Sequence, residues 1–314
     1  MINWFEQYHS PEFVSDFPKT QTHLFDAENG IGADLLIENL LHKLLCENVT
    51  NDKQPCNACP SCRYLIDEHP NIRLIDNNPE LKSDVITIDQ IRELSSFIEL
   101  ASTSEHDKKI IFIKNAHYLT SSAANALLKN LEEPPNNTFF ILLTSNLHKI
   151  LPTIRSRSTI YKLTSPSKVQ CEDFLKEKHQ EAIKFLDLAE HKPFLAIQMA
   201  DNKELINSIL KVFLRGKSVD RMDVNENLLA SGPQFFVDLM QKWIVDLAQF
   251  KEFKTIYYFK NLQDQIELIS NQLSYKELLN FYKKLIEYRR LSETTINKSI
   301  ALDNLMIDYK RIFV

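Results

Sequence analysis

The sequence predicts an α/β domain followed by an all-helical region, and three observations support this fold class. Short apolar runs alternate with helical periodicity in the first half of the chain, which is typical of a buried parallel sheet with helices on both faces. After about residue 165 the strand signals fade and helical periodicity continues. The chain also has only 4 glycines in 314 residues. With so few residues suited to left-handed turns, it is expected to be rich in helix.

The first half of the chain contains four apolar runs that are predicted to be strands. These runs lie at residues 23–25, 72–75, 110–113 and 138–143. A helix is predicted after the first strand because Leu36, Leu40 and Leu44 recur at helical spacing. Similar patterns predict further helices at residues 89–100 and 121–133.

The same patterns divide the chain into three predicted domains, which is consistent with its length of 314 residues. Residues 1–165 are predicted to form the α/β domain, with a cysteine-rich insertion at 46–62. Residues 166–205 are predicted to form a small helical domain, and residues 206–314 a helical C-terminal domain.

Net charge restricts how the chain could contact nucleic acid, and hydropathy argues against a membrane-spanning or secreted protein. The net charge is −5, so any contact with nucleic acid must depend on a local basic patch and not on a basic overall field. No apolar run has the length that crosses a bilayer, and the first residues lack the basic and apolar regions of a signal peptide. We therefore expect a cytoplasmic protein whose 5 cysteines do not form disulfides.

The segment after the first predicted strand has the layout of a phosphate-binding loop, G-x-x-x-x-G-K-[ST]. Gly30 and Gly32 are present, so the backbone can make the tight turn before a helix. The first glycine of the motif is replaced by Ala27, the phosphate-binding lysine by Ala33 and the Mg²⁺-binding hydroxyl by Asp34. This combination is expected to repel ATP. On its own, the segment is equally well interpreted as a simple turn.

The second nucleotide-binding element shows a parallel loss. In a nucleotide hydrolase, the strand that corresponds to residues 110–113 is followed by acidic residues that hold Mg²⁺. Here Lys114 and Asn115 follow it, and neither replaces a carboxylate on a hard cation. Two independent losses predict a nucleotide-binding fold that no longer hydrolyses nucleotide.

Four cysteines predict a metal site with the spacing C-x9-C-x2-C-x2-C. They are Cys46, Cys56, Cys59 and Cys62, and four thiolates so close in sequence can surround Zn²⁺ tetrahedrally. A [4Fe–4S] cluster or free thiols are the alternatives. A zinc site of this kind is structural, because no position is left open for water.

Several motifs in a fixed order after the cysteines resemble one family. They are HPN at 69–71, ITIDQIR at 86–92, AANALLKNLEEPP at 123–135 and LPTIRSR at 151–157. In this order they resemble the clamp-loader subunits of bacterial DNA polymerase III, and most closely the delta-prime type, which has a zinc module but a nonfunctional ATP site. The resemblance is dense from about residue 23 to residue 160 and thin beyond it.

The resemblance implies an AAA+ fold, which is a P-loop NTPase-like α/β module with an inserted zinc-binding module, a helical lid and a helical collar. It implies a place in a ring of five subunits, beside ATPase motor and clamp-opening subunits, in the DNA polymerase III holoenzyme, a nucleotidyltransferase. The sliding clamp and primed DNA would be indirect partners. The resemblance further implies structural Zn²⁺, no ATP at the chain's own site and no catalysis by the isolated chain.

The resemblance assigns a role to Arg157. In the family's Ser-Arg-Cys motif, the arginine reaches the γ-phosphate of ATP held by the neighbouring motor subunit. Here the motif is Ser156-Arg157-Ser158, which keeps the arginine and replaces the cysteine. Arg155 and Arg157 could instead be surface residues that pair with acidic neighbours or contact DNA phosphates. Glu132 and Glu133 are interpreted as the solvated end of a helix.

Two other functions remain as alternatives. The first is the ATP-hydrolysing motor subunit of the same complex, of the gamma or tau type, which requires lysine and Ser/Thr where this chain has Ala33 and Asp34. The second is a zinc-containing DNA-binding adaptor. The absence of a basic stripe from the sequence disfavours the adaptor.

Overall fold

The computed structural model describes residues 3–50, 54–64, 68–77, 85–99, 108–219, 233–292 and 298–313. It divides the chain into two compact units, Met1–Phe174 and Leu175–Val314. The first unit contains the predicted α/β domain together with residues 166–174 of the predicted helical region, and the second unit contains the rest of that region. The finer boundary between a lid and a collar at residues 205 and 206 stays a prediction.

The first unit is built around five parallel strands. The strands are β1 (Thr22–Asp26), β2 (Ile72–Ile75), β3 (Lys109–Ile113), β4 (Thr138–Thr144) and β5 (Thr159–Lys162). Their order across the sheet is β2-β3-β4-β1-β5, so β1 lies between β4 and β5, with Leu24 opposite Leu142 and Ile160. The four predicted strands are confirmed. The fifth was missed, because at this sheet edge half-buried residues alternate with exposed ones and no apolar run results.

Helices connect the strands, and the periodicity predicted three of them, those that begin at Ala33, Ile88 and Ser121. The α-helices are α1 (Pro11–Asp16), α2 (Ala33–Leu45), α3 (Pro60–Arg63), α4 (Ile88–Glu99), α5 (Ser121–Glu132) and α6 (Pro152–Arg155). Helix α7 (Lys168–Lys178) spans the boundary between the units. Helices α4 and α5 pack together, and Ile91 and Leu127 join the fully buried strand residues Ile111 and Phe140 in one apolar core. The Thr120 hydroxyl caps α5 by accepting a hydrogen bond from its backbone.

All regular elements among the described residues of the second unit are helical. They include α8 (Pro193–Asp201), α9 (Lys203–Leu214), α10 (Pro233–Phe253), α11 (Gln263–Ser270), α12 (Tyr275–Ser292) and α13 (Lys298–Arg311). The core contains a buried hydrogen-bond chain, in which the Trp243 indole donates to the Tyr309 hydroxyl (3.0 Å) and this hydroxyl donates to the Phe213 carbonyl (2.8 Å). Within the described residues, none of the helices has both the length and the apolar character needed to span a bilayer.

His23 is a buried titratable residue on the interior strand β1. Its Nε2 lies 3.0 Å from the Thr20 carbonyl and its Nδ1 3.2 Å from the Tyr161 hydroxyl. The neutral ring satisfies both contacts when Nε2 donates and Nδ1 accepts. The ring is stacked on Phe17 with the centroids 3.7 Å apart. Burial lowers the pKa of His23 from 6.5 to about 4, because a charged imidazole would lose its hydration there.

We predict that this histidine makes the fold sensitive to acid. In the unfolded chain the imidazole has a pKa of about 6.5, whereas in the folded chain the pKa is about 4. The contribution of the neutral His23 ring to the free energy of unfolding is therefore complete above pH 6.5 and is lost as the pH falls towards 4. Its full size is about 3 kcal/mol. The test is urea unfolding between these pH values. The His23→Gln variant should show a shallower fall, and His148→Gln, at an exposed position, should match the unmodified chain. Equal slopes for all three chains would contradict the prediction.

Candidate functional site

The segment predicted to be a phosphate loop makes a turn through two left-handed glycines before a helix. It connects the end of β1 at Asp26 with the start of α2 at Ala33. Gly30 and Gly32 have φ values of 85° and 88°, in the left-handed region that favours glycine. Gly32 is the N-cap residue of α2, so the amides of the first helical turn face the loop. The side chains of the motif are absent, however. Ala33, at the position of the motif lysine, is buried and brings no cation.

An N-terminal residue holds this loop from one side. The indole N–H of Trp4 donates to the Ile31 carbonyl at 3.0 Å, and Ile31 itself is fully buried. The Trp4 ring packs edge-on against Phe174, with 5.3 Å between centroids. The sequence analysis missed this contact. Its only signal was a tryptophan followed by a phenylalanine near the start of the chain, and no local pattern links them to residue 31.

Residues at the two predicted nucleotide-binding elements form ion pairs with each other. The Lys114 ammonium, just after β3, lies 3.7 Å from Asp34 Oδ1 and 3.5 Å from Glu38 Oε1. It also lies 5.5 Å from the centre of the Phe112 ring. In P-loop hydrolases, a hydroxyl on the loop and an acid on the second strand hold Mg²⁺ together. Here the corresponding residues are an acid and a lysine, so the chain supplies its own cation between the two elements.

Arg157 lies just after α6, on the segment that leads into β5. Its Nη2 is 2.7 Å from Glu132 Oε1, and its Nη1 donates to the Thr153 carbonyl at 3.1 Å. The side chain is 35% exposed, so the guanidinium lies at the surface. The sequence-based interpretation of Glu132 as a helix end is confirmed, since it is the last residue of α5. The Ser158 hydroxyl donates to the Ile154 carbonyl at 2.8 Å.

The four predicted metal ligands lie together. Cys46 follows α2 and Cys59 precedes α3, and the Sγ atoms of these two residues, Cys56 and Cys62 all lie within 4.8 Å of one another. The Cys56 amide donates to Cys46 Sγ at 3.2 Å. The amides of Ala58 and Cys59 donate to Cys56 Sγ, and these bonds lower the pKa of the Cys56 thiol to about 6. Burial raises the pKa of the Cys62 thiol to about 12, so without a metal the thiolate is favoured at Cys56 and not at Cys62. The closeness of the four sulfurs makes the cluster a possible metal site.

The sulfur spacing fits one tetrahedral ion. Four sulfurs about 2.3 Å from a zinc ion lie about 3.8 Å from each other, and the Sγ atoms of Cys56 and Cys62 are 3.9 Å apart. A [4Fe–4S] cluster places its thiolates around a cube of iron and sulfide, which keeps them further apart than around one ion. The spacing therefore favours a single ion over a cluster.

Comparison with known protein families gives two matches along the chain. The model described as "DNA polymerase III, delta subunit" matches residues 16–167. The model described as "DNA polymerase III, delta subunit, C terminal" matches residues 198–311. Together they cover most of the α/β unit and most of the helical unit.

Individual relatives agree with these matches. The chain is 32% identical over 179 residues to DNA polymerase III subunit delta' of Haemophilus influenzae, covering 56% of this chain and 53% of the relative. The chain thus spans about half of that relative. It is 27% identical over 285 residues to the subunit delta' of Buchnera aphidicola subsp. Baizongia pistaciae, covering 84% of this chain and 82% of the relative.

A solved structure shares the fold. It is a DNA polymerase III gamma subunit-related protein from Thermotoga maritima, with a TM-score of 0.51 and 17% identity, covering 96% of this chain and 99% of that chain. The family models, the relatives named delta' and this shared α/β and helical architecture agree with each other. The chain belongs to the family of DNA polymerase III delta-prime subunits.

Proposed function

We propose that this chain is a non-hydrolysing subunit of a clamp loader. It helps to load the sliding clamp onto primed DNA and donates Arg157 to the ATP site of a neighbouring ATPase subunit. The family relationship supports the clamp-loader role. The observation that carries the non-hydrolysing role is the contact of Lys114 with Asp34 and Glu38 at the phosphate loop.

Charge explains why this loop is unsuited to ATP. Asp34 lies in the first turn of α2, where its carboxylate already offsets the positive end of the helix dipole that would attract a phosphate. Lys114 is shared between Asp34 and Glu38, so its charge is not available to a triphosphate. No lysine is present at position 33 to reach the outer phosphates. The loop keeps its backbone turn but lacks the side chains that bind phosphate and Mg²⁺ in a hydrolase.

The position of Arg157 supports a role towards a neighbour. Its guanidinium lies at the surface, on the short segment between α6 and β5. A planar guanidinium binds phosphate oxygens through two N–H groups at once. An arginine supplied in trans accelerates phosphoryl transfer by about 10³–10⁵ in other systems. The contact with Glu132 also supports the competing interpretation, in which Arg157 only forms a surface ion pair.

We also propose that the cysteine cluster binds structural Zn²⁺. The four ligands are Cys46, Cys56, Cys59 and Cys62, and the sulfur spacing suits one tetrahedral ion. Bound zinc would supply crosslinking and no chemistry, since four thiolates leave no open position for water. The cluster would connect the end of α2 to α3 through a segment that has few other regular elements among its described residues.

The two alternatives are less well supported. A motor subunit needs a lysine and a hydroxyl where this chain has Ala33 and Asp34, and Asp34 already contacts Lys114. A zinc-containing DNA-binding adaptor needs a basic surface, and the net charge of −5 gives no general attraction for DNA.

We predict that the isolated chain binds no measurable ATP. The reason is the excess of negative charge at the loop and the missing lysine. Calorimetric titration with millimolar ATP and Mg²⁺ should give only the heat of dilution. The Ala33→Lys/Asp34→Thr variant restores both motif side chains and serves as the comparison. Micromolar affinity of the unmodified chain would contradict the proposed non-hydrolysing role.

We predict that Arg157→Ala lowers the DNA-stimulated ATPase rate of the reconstituted complex at least tenfold, while the complex still assembles. The loss follows from removing a cation from the charge that develops on the transferred phosphoryl group. Arg92→Ala removes another exposed arginine that pairs with an acid, and it should leave the rate unchanged. Arg155→Ala tests the rival arginine. An unchanged rate with Arg157→Ala would refute the finger assignment.

We predict about one zinc ion per purified chain. Elemental analysis by mass spectrometry measures it, and Cys59→Ser should lower the zinc content because it removes one ligand. Cys171→Ala is the matched control, since Cys171 is a buried cysteine outside the cluster. Iron in place of zinc, or four reactive thiols without metal, would rule out the proposed site.

A further inference from the structure

Glu132 occupies a position that helix electrostatics disfavours. It is the last residue of α5, and Glu133 follows it as the C-cap. The C-terminal end of a helix carries partial negative charge, so two carboxylates there repel the helix dipole and each other. A carboxylate at the unfavourable end of a helix needs a compensating contact or a function. The contact of Glu132 is with Arg157.

That contact fixes the guanidinium between two elements. Nη2 of Arg157 lies 2.7 Å from Glu132 Oε1 at the end of α5, and Nη1 donates to the Thr153 carbonyl in α6 at 3.1 Å. A guanidinium has five N–H donors in a rigid fork. Two contacts are enough to set the plane of the fork, and they leave further N–H groups for a phosphate.

The exposure of the pair indicates what the contact can contribute. The Arg157 side chain is 35% exposed and that of Glu132 is 51% exposed, and ion pairs at such exposure add little to folding stability. A long arginine side chain otherwise samples many rotamers. Restricting it before a partner arrives lowers the entropy lost on binding and keeps the reacting groups aligned.

We propose that Glu132 is a positioning residue for Arg157, which holds the guanidinium in the orientation that meets the phosphate of the neighbouring subunit. This rests on the proposed arginine-finger function. Glu132 itself touches no substrate, and its effect passes through Arg157 alone. The carboxylate oxygen is needed as a hydrogen-bond acceptor, and an amide oxygen of the same length can replace it.

The test uses the full chain reconstituted with its ATPase subunits, with kcat and KM for ATP measured in the presence of primed DNA. Glu132→Ala should lower kcat by a factor of about three to ten, as expected for the lost ordering of one long side chain. Glu132→Gln should stay within about twofold of the unmodified complex. Glu133→Ala removes the neighbouring charge, at an exposed position, and should change nothing. Co-elution confirms that every variant assembles.

A double variant separates this inference from the proposed function. In the Arg157→Ala background, Glu132→Ala should have no additional effect, because its action requires the guanidinium. If Arg157→Ala lowers the rate but Glu132→Ala leaves kcat unchanged or raises it, Glu132 is not a positioning residue and the finger survives. Equal losses for Glu132→Ala, Glu132→Gln and Glu133→Ala would also overturn the inference, since they would reflect charge alone. If Arg157→Ala has no effect on the rate, the proposed arginine-finger function is refuted, and the positioning role of Glu132 is refuted with it.

Discussion

The parallel pairing of the five strands is the constraint on which the arrangement of the first unit depends. In a parallel sheet all strands end at the same edge, so the segments that follow them meet there. This places the loop after β1 close to the residues after β3, although Asp34 and Lys114 are 80 positions apart in sequence. The buried apolar strands supply the free energy for this pairing, and the polar residues at their ends are brought together as a consequence.

At that edge, the acid and the cation are placed differently from those of a P-loop hydrolase. A hydrolase has a lysine and a hydroxyl on the loop and an acid on the neighbouring strand. Here the acid is on the loop side, at Asp34, and the cation follows the strand, at Lys114. The two elements are connected by a direct electrostatic contact between their own side chains. This contact and the bond from Trp4 to Ile31 attach the loop to neighbouring elements of the unit.

Much of the fold could be predicted because it depends on local patterns. Continuous apolar runs identified four strands, and helical periodicity identified the three longer helices between them. The missed strand β5 shows the limit of this approach. It lies at the sheet edge, where half-buried and exposed residues alternate, and its pairing with β1 depends on residues more than 130 positions away in sequence. The helical segments before residue 20 were also missed, since they pack through aromatic contacts that have no periodic signal.

The sequence by itself determined which chemical groups are present and which are missing. Ala33 and Asp34 in the loop, Lys114 after β3 and four closely spaced cysteines are facts of composition and spacing, and they need no fold to be interpreted. The tertiary structure alone decided which distant groups pair. The contact of Lys114 with Asp34 and that of Arg157 with Glu132 join separate elements, because strand order and helix packing set those distances and local sequence does not.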